Sequence, residues 1–336
     1  MTELNNIALK ILSSGKGILA ADESTGTMTK RLKDVGVDSN PENRLIFRET
    51  LFSSEAMKSF IGGVILYDET IKQNSNLKKT IPELISSSGA VTGIKVDTGA
   101  KKSLPYDETI TEGLDGLRER LKEYYNLGAR FTKWRGVFKI SNKNSLPSIE
   151  SIKSNARALS RYSALVQETN MVPIVEPEVL MDGEHDIKTC YKTTKIVLQE
   201  TFDQLSKENV KLDGIILKPN MILNGVDSGK KNEPNQVAEM TFNCLKESVP
   251  KEVPGIAFLS GGQSELEATK NLNEINKIND SNFIMTYSYG RALQKNALRF
   301  WSKNLQDTKG TQEVFNHRAK MCTLAAQGKW SENLEN

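Results

Sequence analysis

Lys218 is the residue whose type and position most clearly suggest chemistry. It ends a mostly apolar run, residues 212–217, with the composition of a buried strand, and Pro219 follows it directly. A lysine buried without a partner costs several kcal/mol, whereas a neutral lysine amine is a nucleophile that forms an imine with a carbonyl group. This segment alone does not decide between an imine-forming lysine and a strand-end lysine that extends into solvent.

An imine-forming lysine needs other charged groups around it. At an ordinary pKa near 10.4, about 0.04% of a lysine amine is neutral at pH 7, so a second cation and desolvation must favour the neutral form. Lys95 and Lys133 are candidates for that cation. Glu176 and Glu178 occupy positions i and i+2, on one side of a strand, where one carboxyl can stay protonated as a general acid. These glutamates could instead pair with Lys133 and Lys218, and the two roles are compatible.

Glycine-containing turns suggest binding sites for anions. Ser260 and Gly261 follow the seventh apolar segment of the chain, and Gly290 and Arg291 follow the eighth. Glycine lets backbone N–H groups approach a phosphate, and the N-terminus of a following helix favours negative charge. A second candidate site consists of hydroxyl-bearing and cationic residues: Ser24, Thr27, Lys30, Arg31, Lys95 and Arg135. One such turn is weak evidence, but two anion sites either side of a reactive lysine indicate a doubly phosphorylated substrate.

The elements that must position these residues are short apolar segments that alternate with longer amphipathic ones. The apolar segments are residues 17–22, 61–68, 90–97, 130–135, 172–178, 214–218, 255–262 and 283–290, and helix-like stretches include 111–128, 148–170, 184–208, 234–248 and 264–276. Residues 69–89 and 222–233 are predicted to be loops. Eight strands alternating with helices predict an α/β fold, a (β/α)8 TIM barrel. The alternative, an open doubly wound sheet, lacks a Gly-x-Gly-x-x-Gly after its first strand.

We expect a single domain over residues 1–336, with barrel strands from about 17 to 290 and extra helices at the N-terminus and at about 291–330. The polar candidates share one place in this pattern, at or just beyond the C-terminal end of a predicted strand. They are Asp22, Asp68, Lys95, Asp97, Lys133, Arg135, Glu176, Glu178, Lys218, Ser260 and Arg291. Because the C-terminal face of a barrel carries the active site, this distribution predicts one shared site.

Composition limits the class of protein. The chain has 336 residues, 38% hydrophobic and 26% charged, with a formal charge of +3, which does not indicate nucleic-acid binding. It shows no secretory signal and no apolar run long enough to span a bilayer. Three scattered cysteines favour a reducing cytoplasm. Because there are two histidines and no CxxC or HExxH motif, no metal is expected, and both His185 and His317 are predicted to be surface residues.

Seven segments together resemble those of class I fructose-1,6-bisphosphate aldolases. They are GILAADESTG at 17–26, GIKVD at 93–97, KWR at 133–135, PIVEPE at 173–178, LKPNM at 217–221, FLSGGQS at 258–264 and SYGRALQ at 288–294. One such segment is a weak signal, whereas seven in family order are specific. The resemblance implies a metal- and cofactor-independent lyase of glycolysis and gluconeogenesis. It would reversibly cleave fructose 1,6-bisphosphate into dihydroxyacetone phosphate and glyceraldehyde 3-phosphate.

The resemblance also implies residue roles. Lys218 resembles the Schiff-base lysine, and Glu176 resembles the acid–base residue of imine formation, supported by Glu178 and Lys133. Asp22 matches the residue that takes the C4 hydroxyl proton. The other matches are to phosphate and substrate contacts, with Ser260, Gly261, Gly290 and Arg291 at the C1 phosphate, and Ser24, Lys30, Arg31, Lys95 and Arg135 toward the C6 phosphate.

The resemblance further implies a phosphorylated sugar as substrate, a cytoplasmic location and a homo-oligomer, often a tetramer, with neither nucleic acid nor membrane as partner. Thr27 departs from the serine of many members but keeps the hydroxyl. The sequence ends at Asn336 without the tyrosine-ended tail of animal members, so we expect slower protonation of the enamine, by solvent or an active-site acid. The alternatives are another lysine-imine barrel enzyme, such as a transaldolase-like transferase, and a non-catalytic scaffold on the same fold.

Overall fold

Eight parallel strands close into a barrel. The computed structural model describes residues 2–335, apart from the side chain of Tyr106. In order around the barrel, the strands are β1 (Gly17–Ala20), β2 (Ile61–Leu66), β3 (Val91–Lys95), β6 (Phe131–Phe138), β7 (Val172–Val179), β8 (Ile216–Leu217), β9 (Gly255–Phe258) and β10 (Ile284–Tyr289), which pairs with β1. Each of them falls within or overlaps a predicted strand, which confirms the (β/α)8 barrel.

Helices cover the outside of the barrel. They are α1 (Glu3–Leu12), α2 (Thr25–Asp34), α3 (Pro41–Phe52), α4 (Ala56–Ser59), α5 (Asp68–Ile71), α6 (Ile81–Ser87), α7 (Leu117–Asn126), α8 (Ile149–Glu168), α9 (Ile187–Lys207), α10 (Pro234–Ser248), α11 (Glu265–Ile278), α12 (Arg291–Trp301) and α13 (Thr308–Ala326). Short 3-10 turns occupy Ser13–Gly15, Pro105–Asp107, Leu212–Gly214 and Glu332–Glu335. No helix within residues 2–335 is long and apolar enough to cross a membrane.

Two sequence-based boundaries were wrong. The predicted loop 69–89 contains α6, which is only seven residues long and is held by a capping box between Thr80 and Glu83, too short to show helical periodicity. The predicted helix 111–128 begins only at Leu117, because an antiparallel hairpin of β4 (Gly99–Lys102) and β5 (Thr109–Glu112) precedes it. Residues 222–233, all described, contain neither helix nor strand, as predicted.

The N-terminal helix closes the lower end of the barrel. The buried residues Leu4, Ala8, Ile11 and Leu12 of α1 form one apolar cluster with inward-facing residues such as Ile18, Phe131 and Ile216. The helix lies so close to β2 that a Cβ on Gly62 would come within 1.9 Å of the carbonyl oxygen of Ile11. Only glycine fits there. Because this end is filled with apolar side chains, the C-terminal end is left for polar residues.

Candidate active site

The central charged residues continue the inward face of their strands. Side chains alternate across a strand with a period of two. Ile216 belongs to the inner apolar cluster, and Lys218 lies two residues later, just beyond the C-terminal end of β8. Phe131 stands in the same relation to Lys133 on β6, and Ile174 to Glu176 on β7. The barrel interior therefore changes from apolar to charged within two residues along these three strands.

A cavity of about 330 Å³ opens at this end of the barrel. Thirteen of the fourteen residues to which the family resemblance assigns a role line it: Asp22, Ser24, Arg31, Lys95, Lys133, Arg135, Glu176, Glu178, Lys218, Ser260, Gly261, Gly290 and Arg291. The exception is Lys30, which is exposed and lies outside the lining. Asp68, which was also expected to share this site, lies outside the lining too and pairs with Lys72. Thr27 and Arg31 of α2 are four residues apart and share the face toward the cavity, whereas Lys30 lies on another face of that helix.

Two buried lysines share one glutamate at the centre of this cavity. The Nζ atom of Lys218 lies 3.1 Å from Oε1 of Glu176, and Nζ of Lys133 lies 3.4 Å from Oε2 of the same carboxylate. Lys133 also lies 2.8 Å from Oδ2 of Asp22 and 3.9 Å from Oδ2 of Asp97. The lysine side chains are each 5% exposed. Lys133 is thus the common cation of three carboxylates.

These contacts determine the ionisation states of Asp22, Glu176 and Lys133. Burial by itself raises the pKa of Asp22, but Lys133 and Lys218 outweigh it and hold the pKa well below its ordinary range. Burial also opposes ionisation of Glu176, yet the same two lysines lower its pKa. The pKa of Lys133 is raised, because Asp22, Glu176 and Asp97 outweigh the effect of burial. Asp22 and Glu176 are therefore anions at neutral pH, and Lys133 is a permanent cation.

The pKa of Glu178 is shifted in the opposite direction from that of Glu176. Burial raises its pKa, and the bond from the Arg135 guanidinium opposes that effect without cancelling it. The negative charge of Glu176 adds to the increase. Burial is therefore the main cause of the raised pKa of Glu178, and the like-charge repulsion expected from the i and i+2 spacing is a smaller contribution. The lower-pKa member, Glu176, is the one in contact with Lys218.

Glycine turns and helix N-termini form the wall beside the lysine. Ser260 and Gly261 follow β9, and a Cβ on Gly261 would come within 2.9 Å of Oε1 of Glu178. Gly290 is the N-cap of α12, whose first residue is Arg291, so the positive end of that helix faces the cavity. On the other side, Ser24 is the N-cap of α2 and accepts a hydrogen bond from the backbone N–H of Thr27. Both walls suit an anionic group.

Several residues of the site escaped the sequence analysis. Glu23 lines the cavity and accepts a hydrogen bond from Arg31. Ser288 also lines the cavity. Gln294 donates to Oε1 of Glu23 and to the carbonyl of Ala20. The position of Glu23 after a strand was a usable signal, whereas nothing local marks the Gln294 contacts.

The two histidines have different environments. His317 is exposed, as predicted. The surface prediction for His185 was wrong, because only 3% of the residue is exposed. The loop after β7 that carries it packs against the loop after β8, where Gly225 donates a backbone hydrogen bond of 2.8 Å to the carbonyl of His185. Within residues 2–335 no group of three histidine, cysteine or acidic side chains is arranged to hold a metal ion.

The fold and the site define a (β/α)8-barrel enzyme with a lysine and carboxylate centre at its strand ends. A family model described as fructose-bisphosphate aldolase class-I matches residues 3–336. A probable fructose-bisphosphate aldolase class 1 of Xanthomonas campestris is 45% identical, over 98% of either chain. Fructose-bisphosphate aldolase C of Rattus norvegicus is 46% identical, over 98% of this chain and 91% of its own.

A solved structure of fructose-bisphosphate aldolase from Plasmodium falciparum, in complex with TRAP and a small-molecule inhibitor, superposes with a TM-score of 0.95. It is 42% identical in sequence, and the match covers 98% of this chain and 95% of the other. The chain belongs to the class I fructose-bisphosphate aldolase family.

Proposed function

We propose that Lys218 is the residue through which this class I aldolase forms a Schiff base with fructose 1,6-bisphosphate. The observation that carries the assignment is the burial of its Nζ atom 3.1 Å from Glu176. The amine adds to the C2 carbonyl, and the resulting carbinolamine must lose water to give the imine. Glu176 is in position to accept a proton from the ammonium group and to return it to the departing hydroxyl.

Asp22 is the proposed base for bond cleavage. Its carboxylate is ionised, because Lys133 lies 2.8 Å away and lowers its pKa. It would remove the proton of the C4 hydroxyl while the C3–C4 bond breaks and its electron pair moves into the iminium group. Glyceraldehyde 3-phosphate leaves, and the enamine on Lys218 takes a proton at C3 before hydrolysis releases dihydroxyacetone phosphate. Lys133 stays charged throughout, and its role is to keep the carboxylates of Asp22 and Glu176 ionised.

The cavity walls suit the two phosphate groups. We assign Ser260, Gly261, Gly290 and Arg291 to the C1 phosphate, because glycine N–H groups and a helix N-terminus meet there. We assign Ser24, Arg31, Lys95 and Arg135 to the C6 phosphate and neighbouring substrate groups. Lys30 stays in this proposal only as exposed positive charge near the cavity, since it lies outside the lining.

Reductive trapping tests the mechanism. The protein would be incubated with dihydroxyacetone phosphate and borohydride, digested and mapped by mass spectrometry. We expect one reduced adduct on Lys218, no adduct in Lys218→Arg, and a normal adduct in Lys246→Arg, whose lysine is exposed and pairs with Asp280. Cleavage should also survive EDTA. An adduct elsewhere, or complete loss of activity with EDTA, would contradict the proposed lysine chemistry.

We also propose that the protein acts in the cytoplasm as a homo-oligomer, with residues 1–336 as one domain. Its three cysteines are free and buried, which suits a reducing compartment. Exposed apolar residues such as Ile149 and Ile196, 62% and 49% exposed, suit contact with another copy. Light scattering after size exclusion would test the homo-oligomer, and a monomeric mass at micromolar concentration would contradict it.

A further inference from the structure

Arg48 of α3 is one of the bulkiest side chains that the fold buries completely, with 1% exposed, and it does not line the cavity. Its Nη1 atom donates to Oγ1 of Thr70 at 2.7 Å, and its Nη2 atom donates to the carbonyl of Glu23 at 2.9 Å. Burying a guanidinium is costly unless a carboxylate accompanies it. The carboxylate of Glu23 lies 3.6 Å from Nη2, and that of Glu69 lies 3.9 Å from Nη1.

Glu23 lies between two arginines. Its side chain is 5% exposed, and its Oε1 atom accepts hydrogen bonds from Arg31 and, at 3.0 Å, from Gln294. Its Oε2 atom accepts no hydrogen bond from any residue within 2–335 and faces Arg48. Arg31 is 24% exposed and lines the cavity, whereas Arg48 is sealed behind it. The same buried carboxylate therefore has one cation that a substrate can reach and one that it cannot.

This arrangement bears on phosphate binding. In the structure, the charge of Arg31 is engaged by Glu23. To bind a phosphate strongly, the guanidinium must loosen that contact, and a buried carboxylate left without a cation is strongly destabilised. Arg48 removes this obstacle, because it stays beside Glu23 whether or not Arg31 moves. Without Arg48, Glu23 would hold Arg31 more tightly and compete with the substrate for it.

We propose that Arg48 is a positioning residue for the second phosphate group: it is the permanent counter-charge of Glu23 and thereby frees Arg31 to bind the substrate. The inference rests on the proposed function, in which Arg31 contacts the C6 phosphate. It follows that Arg48 selects for substrates with two phosphates. Fructose 1-phosphate lacks the group that Arg31 binds, so its cleavage should not depend on Arg48.

Steady-state kinetics with the two sugars on full-length protein test this. For Arg48→Met we expect the KM for fructose 1,6-bisphosphate to rise about tenfold, equivalent to about 1.4 kcal/mol. kcat/KM for fructose 1-phosphate should change less than about twofold, a difference of only a few tenths of a kcal/mol. Adding Glu23→Gln to Arg48→Met should restore the KM, since the amide no longer competes for Arg31. Arg44→Met is the matched control, because Arg44 is also buried, one turn earlier on α3, and bonds Glu69 instead of Glu23.

An equal loss for both sugars, or no restoration by Glu23→Gln, would show that Arg48 only supports the fold. If Arg48→Met does not fold, Thr70→Val tests the same point, because it removes the acceptor of Nη1 and should raise the same KM by a smaller factor. Borohydride trapping of dihydroxyacetone phosphate on Lys218 separates this inference from the proposed function, since that ligand carries no second phosphate. Failed trapping in the wild type would refute the proposed function. Normal trapping with an unchanged preference between the sugars in Arg48→Met would refute this inference alone.

Discussion

Replacing Lys133 by methionine would test the electrostatic arrangement of the site most directly. Methionine keeps an unbranched chain of similar length but removes the charge. Three carboxylates within 4 Å, those of Asp22, Glu176 and Asp97, would lose their common cation. Their side chains are at most 15% exposed, so solvent cannot replace it.

The expected magnitude follows from this burial. Breaking a buried ion pair by removing one partner costs about 3–5 kcal/mol, so the free energy of unfolding at pH 7 should fall by about that amount. Lys72→Met is the matched control, because Lys72 also contacts two carboxylates, Asp68 at 2.8 Å and Glu123 at 3.1 Å, but all three side chains are about half exposed. Such exposed pairs contribute about 0–1 kcal/mol.

The pH dependence has a definite sign. In the wild type, the pKa of Asp22 and Glu176 is lowered on folding, so their contribution to stability is complete above their ordinary pKa and is lost as the pH falls through the folded one. In Lys133→Met, the cation that opposes the effect of burial on Asp22 and Glu176 is missing, so their pKa is higher. Protonation of these carboxyls at lower pH then removes the unpaired buried charge of the variant. The stability difference between wild type and variant should therefore be largest at neutral pH and shrink toward pH 4.

Urea unfolding followed by circular dichroism at pH 8, 7, 5 and 4 would measure these differences. Cleavage assays at pH 7 should show a loss in kcat of at least about 100-fold in Lys133→Met, as expected when acid–base groups lose their ionisation state. The reasoning fails if Lys133→Met is no less stable than Lys72→Met. A stability difference that does not change with pH would equally show that the carboxylates do not depend on Lys133.

Burial lowers the pKa of His185, so the free energy of unfolding should decrease as the pH falls below about 6.5. Urea unfolding of His185→Phe should show a smaller decrease with pH, and an unchanged pH dependence of stability would contradict this. Gly62→Ala forces a Cβ into the backbone of α1 and should lower the melting temperature by several degrees, whereas Gly26→Ala meets no atom within 4 Å and should change it little. Iodoacetamide at pH 8 should label no cysteine of the native protein and three in urea. The reason is that burial raises the pKa of all three thiols, to about 11 for Cys190, to about 12 for Cys244 and upward for Cys322. Labelling of the native protein, detected by mass spectrometry, would refute this prediction.

The eight strands could be predicted from local periodicity, and most of the site from residues at strand ends together with the resemblance of seven segments to a known family. Apolar segments alternating with amphipathic ones specify a parallel barrel. The C-terminal ends of parallel strands all meet on one face, so a residue such as Lys218 or Glu176 was placed correctly once its strand was identified. The strand-end residues reached the cavity for this reason, whereas Lys30 did not, because the face of its helix was not determined.

The partners of these residues depended on tertiary structure. The sequence allowed the glutamates to pair with Lys133 and Lys218, but it did not show that both lysines share Glu176, or that Glu178 is the member with the raised pKa. Arg48 lies 25 residues from Glu23, and it meets Glu23 only because α3 packs behind the loop after β1. Periodicity encodes which face of an element is buried, whereas charge pairing depends on how distant loops and helices pack together. The sequence by itself therefore specified a barrel with a lysine at its active face, and the fold determined which charges control that lysine.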